Sequence, residues 1–183
     1  MPAFTLHTVD TAPEASRPAL ESLQAAFGVL PNIARAMASS PVLIDSLVGL
    51  FQNVHGGSFS EAQIQILLLT NAVTNAAEWP VAFHSYLALQ QGIASADVDA
   101  LRRGQLPSGT EAAALSRLAR TLIEHRGRVD AAQIDAFLAA GFSQSELLEV
   151  IAVVAASTIT NYTAQVTRPP LEAPFDAHAW TGC

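Results

Sequence analysis

The sequence holds a single cysteine, Cys183, and it is the last residue. One thiol can neither close an intramolecular disulfide nor run a dithiol cycle within the chain, so no disulfide framework is expected. Lysine is missing altogether: all nine basic residues are arginine. That removes Schiff-base lysines and phosphate-loop lysines, and several enzyme classes with them. Charge is scarce, at 14% of residues against about 25% in an average soluble domain. The net charge of −7 argues against nucleic acid, which needs a basic face. The longest apolar run, Val150 to Ala156, is too short to cross a bilayer. Met1 to Asp10 lacks the basic cluster and apolar core of a signal peptide. A cytoplasmic protein with no membrane partner is therefore expected.

Known site motifs are thin as well. No two of the five histidines have a metal-ligand spacing such as H-x-x-x-H, and no glycine-rich phosphate loop or GxSxG occurs. Neither a metal nor a cofactor is expected.

Apolar residues, by contrast, are plentiful, making up 50% of 183 residues. A chain of this length can build one substantial core. So much apolar surface with so little charge predicts a homo-oligomer that buries part of it between copies.

Helix punctuation recurs and strand signals are absent, so an all-α chain is predicted. Pro18 to Phe27 reads as a helix capped by Gly28, and GVLPN (Gly28 to Asn32) as a loop. Ile33 to Ala38 is a short helix; Pro41 opens another that ends at Gly56-Gly57. Ser60-Glu61-Ala62-Gln63 is a capping box before a helix apolar nearly all round. Pro80 is placed at the first helical position of a helix reaching Gln91. Ser95–Arg103, Thr110–Arg126 and Asp130–Ala140 follow, and Ser143 to Glu146 opens a long helix to about Thr167. The chain is read as one domain over 1–183, with a helical arm over 1–40 and an irregular tail over 168–183. Phe59-Ser60-Glu61-Ala62 and Phe142-Ser143-Gln144-Ser145 echo one another, as an internal helical duplication would make them.

FGVLPN (Phe27 to Asn32), Ser40-Pro41, the His84 segment followed by Gly92, Ala140-Gly141-Phe142-Ser143 and Asn161-Tyr162 occur in this order. Together they resemble the carboxymuconolactone decarboxylase and alkylhydroperoxidase D-like (AhpD-like) superfamily, over nearly the whole chain. The resemblance implies an all-α AhpD-like bundle assembled as a trimer or hexamer. In the peroxidase branch it implies a glutamate, eleven residues, Cys-x-x-Cys, three residues and a histidine. A cysteine at a helix N-terminus is stabilised as thiolate by unpaired N–H groups and the helix dipole. A histidine four residues on lies one turn up the same face, within reach of the proton.

Counted back from His84, the two cysteines fall on Ala77 and Pro80, and the glutamate falls on Gln65. Only the histidine is kept. Thiol-peroxidase chemistry is not expected from such a site. His84 is then the candidate general acid/base, with Gln65 as its hydrogen-bond partner. Trp79, Phe83 and Tyr86 are candidate walls for a small organic ligand of the lactone or carboxylate class. Glu78 is expected in the turn before Pro80. His55 and His125 read as residues ending their helices, His7 and His178 as solvated, and Asn161 and Tyr162 as polar anchors of the packed interior. Two rivals stand beside this reading: a peroxidase-related enzyme working without Cys-x-x-Cys, and a catalytically silent oligomeric protein.

Overall fold

The computed structural model describes residues 4–182; Cys183 lies outside them. Among the described residues there are nine α-helices, two 3-10 turns and no strand. In chain order the helices are α1 (Arg17–Phe27), α2 (Asn32–Met37), α3 (Pro41–His55), α4 (Glu61–Thr74), α5 (Glu78–Gln90), α6 (Ser95–Arg102), α7 (Thr110–Glu124), α8 (Ala131–Ala139) and α9 (Gln144–Thr167). The 3-10 turns are Glu14–Ser16 and Ala173–His178.

Local chemistry accounts for several of the boundaries. Ser60, Asp130 and Ser143 each close a reciprocal capping box, with Gln63, Gln133 and Glu146 reaching back. Each box satisfies two backbone donors that the first turn would leave open. Gly28 ends α1 at φ 71°, a left-handed conformation that costs a side chain but not glycine.

Two apolar cores share the helices between them. The larger joins α4, α7 and α9, with Leu67, Leu69, Leu115 and Val150 among its fully enclosed members. The second joins α1, α2, α3 and α5 around Leu20, Met37, Ile44 and Phe83. α4 is buried from Ile64 to Ala72, as an all-round apolar helix must be.

Several expectations need correction. α5 starts two residues earlier than expected, so Glu78 is its first residue and Pro80 its third. Proline is tolerated there because first-turn N–H groups have no partner inside the helix. The tail is not irregular throughout: Ala173–His178 forms a 3-10 turn that packs on α5 and buries Phe175. Arg102 ties it down by donating to the carbonyls of His178 (2.8 Å) and Ala179 (2.9 Å). His7 and His178 are half-buried rather than solvated. Tyr162 is 58% exposed and cannot anchor the interior of this chain, whereas Asn161 is fully buried. α9 as a whole is long and apolar enough to cross a membrane, with a mean hydropathy of 1.4 over its best window. Here it packs against α2, α3, α4, α5 and α7 and buries Ser157, Thr160 and Asn161.

Candidate functional site

Histidine, glutamine and glutamate meet around a cavity of about 450 Å³ inside the second core. Its walls come from α1 (Leu23, Phe27), α2 (Ile33, Ala34), α3 (Leu47, Phe51, His55), α4 (Glu61, Gln65) and α5 (Trp79, Phe83, His84), with Thr160 of α9 behind. No arginine lines it.

α4 organises the polar part. Glu61 and Gln65 stand four residues apart, and so one turn apart on one helix face. Each holds a histidine from a neighbouring helix. Gln65 Oε1 lies 3.0 Å from His84 Nδ1, in a pair that is buried on both sides. An amide oxygen only accepts, so Nδ1 carries the proton and Nε2 keeps its lone pair. Nε2 makes no hydrogen bond to the described residues. Burial, and after it the nearby His55, lowers the His84 pKa from 6.5 to about 3. His84 is therefore neutral across the physiological range: it accepts a hydrogen bond well and takes up a proton poorly.

The second pair stands at the outer end. His55, the last residue of α3, places Nδ1 2.9 and 3.0 Å from the two carboxylate oxygens of Glu61. Both side chains are partly open to solvent. The turn from Gly56 to Ser60 makes this meeting possible. Glu149 of α9 binds the N–H and hydroxyl of Ser58, each at 2.8 Å. It runs so close to Gly57 that a Cβ there would sit 2.8 Å from its Oε2. Phe51 stacks on the His55 ring at 5.6 Å.

The aromatic wall is fixed from the tail. Trp79 stacks on Phe83 at 5.0 Å, and Phe27 meets Phe83 edge-on at 5.3 Å. Trp79 Nε1 donates to Glu172 Oε2 at 2.9 Å, while the other oxygen of Glu172 accepts from the Asn32 backbone. One carboxylate thus pins the FGVLPN loop to the start of α5.

Of the residues singled out from sequence, His84, Gln65, Trp79 and Phe83 line the cavity. Ala77, Glu78 and Pro80 do not. Ala77 is the buried cap of α5, Pro80 is buried in its first turn, and Glu78 points to solvent. Tyr86 is absent from the wall too, and packs on Phe175 instead. Sequence reasoning missed Glu61, Glu172 and the cavity role of His55. In the sequence Glu61 stands out only as part of a capping box, although its spacing from Gln65 puts it on the same face. Among the described residues, no three His, Cys, Asp or Glu side chains cluster as a metal site would require.

No protein-family profile and no curated protein sequence matches the chain. Solved structures do. The alkylhydroperoxidase AhpD core of an uncharacterized peroxidase-related protein from Ralstonia eutropha JMP134 superposes with a TM-score of 0.82 at 14% identity, covering 98% of this chain and 97% of that one. The debrominase Bmp8 gives 0.79 at 17%, covering 96% and 95%. A peroxidase-related protein from Silicibacter sp. TM1040 gives 0.78 at 15%, covering 94% of each. The chain has the all-α AhpD-like fold.

Proposed function

We propose that this protein binds a small, uncharged, largely apolar organic molecule in the cavity beside His84 and acts on it without cysteine chemistry. The observation that carries this reading is the cavity itself, about 450 Å³ with His84 and Gln65 in its wall. Of the lactone and carboxylate classes expected from sequence, the uncharged one suits the walls. No arginine faces the cavity, and a neutral His84 offers nothing to offset the burial of an anion. In the same fold, a cysteine-to-alanine variant of the debrominase Bmp8 was solved in complex with 2,3,4-tribromopyrrole, an uncharged ring of suitable size.

Calorimetric titration with indole and indole-3-carboxylate tests the reading. Indole is expected to bind, and the carboxylate at least about tenfold more weakly. Ala26→Trp, at an exposed position of α1 on the cavity wall, should block binding without disturbing the core. Loss of binding in His84→Ala with helical content retained would place His84 in the site. Failure of both ligands to bind, or binding indifferent to Ala26→Trp, sinks the reading.

A second reading, peroxide consumption, draws on the fold shared with two peroxidase-related proteins. It requires a route that avoids Ala77 and Pro80, and peroxide consumption that persists in Cys183→Ser would establish it. The silent-protein reading is the weaker one, because a packed remnant would not keep a cavity of this size. For assembly, we propose self-association through the outer face of α9, where Leu148, Ile151, Tyr162 and Val166 are exposed. A monomeric mass in sedimentation at micromolar concentration overturns that.

A further inference from the structure

The cavity holds two histidines, and the one singled out from sequence is the poorer base. His84 is sealed among apolar groups and held by a neutral amide. His55 is held by a carboxylate at 2.9 and 3.0 Å through Nδ1. A carboxylate on Nδ1 fixes the tautomer with the proton on that nitrogen, frees Nε2 to take a second proton, and stabilises the imidazolium that results. Phe51 at 5.6 Å holds the ring in place, and partial exposure lets the dyad exchange its proton with solvent.

We propose that His55, oriented by Glu61, is the general base of this cavity, and that His84 is a fixed hydrogen-bond acceptor which exchanges no proton. The proposal rests on the small-molecule reading above. It names the substrate class more closely: an uncharged carbon acid, or a weak N–H or O–H acid, that rearranges or eliminates once a proton is removed. Such chemistry needs no oxidant, metal or second substrate. The charged and titratable groups around His55 are Glu61 from α4, His84 from α5, and Glu149 from α9, which is engaged by Ser58. α1 and α2 bring no charged side chain to the cavity wall.

5-Nitrobenzisoxazole tests this directly. A base removes the proton on C3, the C–H electron pair becomes part of a nitrile, and the N–O bond breaks. Oxygen leaves as 2-cyano-4-nitrophenolate, which is coloured. His55 then returns its proton to water, so the step closes without a co-reactant. The protein should accelerate this reaction over its background rate in buffer. His55→Ala should lower kcat/KM by about 100-fold, the usual range for a positioned base. Glu61 is a positioning residue: Glu61→Gln should lower kcat with little change in KM, and Glu61→Asp should restore part of the lost kcat. His84→Gln should raise KM and leave kcat nearly unchanged.

The unreactive isomer 5-nitrobenzoxazole separates the two levels of the argument. If it does not bind, the small-molecule reading fails and the dyad fails with it. If it binds but turnover is unchanged in His55→Ala, the cavity is a binding site and the proposed base is wrong.

Discussion

His84 with Gln65 and His55 with Glu61 are built alike and placed differently. Each histidine uses Nδ1 to reach a side-chain oxygen of α4, and the two oxygens come from positions one turn apart. Both rings border the same cavity. One pair is sealed in the apolar core and closed by an amide; the other stands at the edge and is closed by a carboxylate. Burial without a counter-charge drives the His84 pKa down to about 3, so the inner pair is a hydrogen-bonding fixture. The outer pair has solvent to exchange protons with and a charge to stabilise the protonated ring. Depth and the partner's charge, with the same ring in the same fold, assign the two roles.

The sharpest way to break this contrast is to give the inner pair the outer pair's chemistry. Gln65→Glu puts a carboxylate against a fully buried neutral imidazole. At pH 8 the variant must either bury an unpaired charge or bind a proton, and should lose about 3 kcal/mol of unfolding free energy in urea titrations. The deficit should shrink as pH falls, because an imidazolium–carboxylate pair then forms. NMR titration should show the His84 midpoint well above about 3. An unchanged stability would mean that Gln65 is less enclosed than its 4% exposure implies.

Acid provides the next test and leaves the sequence intact. Unfolded His84 takes up a proton near 6.5, while in the folded chain it stays neutral down to about 3. Between those values the unfolded state binds one more proton, so stability falls as pH falls, by roughly 1.4 kcal/mol per pH unit at most. The contribution is fully present above pH 6.5. Urea unfolding at pH 7 and pH 5 should therefore show about 2 kcal/mol more loss in the natural chain than in His84→Gln. Equal losses would show that His84 is protonated while folded.

How much of this was legible from residues follows the physics of each feature. Helix ends were readable because caps are local: Ser60 with Gln63, Ser143 with Glu146, and Gly28 act within a turn of their own backbone. The Asp130–Gln133 box is equally local and carries the same third-position glutamine as the Ser60–Gln63 box, so it is legible on the same grounds. His84 and Gln65 were placed through a resemblance in spacing, which survives even where the cysteines do not. His55 and Glu61 were not placed. Their meeting depends on how the Gly56–Ser60 turn folds back, and that is set by Glu149, 91 residues from Ser58 along the chain. Glu172 was hidden for the same reason. Its contacts with Asn32 and Trp79 span 140 and 93 residues, and no local pattern announces them.

The smallest expected stability effect discriminates most finely between the two pairs. Glu61→Gln removes one partner of a half-exposed pair, for which surface ion pairs are worth about 0–1 kcal/mol. It also removes an acidic residue from the first turn of α4, worth a few tenths of a kcal/mol. Unfolding free energy should therefore drop by less than about 1 kcal/mol, well short of the effect at Gln65, only one turn along the same helix. Glu61→Gln should nevertheless lower kcat for proton removal far more than any change at Gln65 that keeps the fold. A small stability loss with a large change in proton transfer is what a working pair at a cavity edge produces. If Glu61→Gln instead costs as much stability as Gln65→Glu, the carboxylate is a structural clamp between α3 and α4, and the distinction between an inner fixture and an outer base collapses.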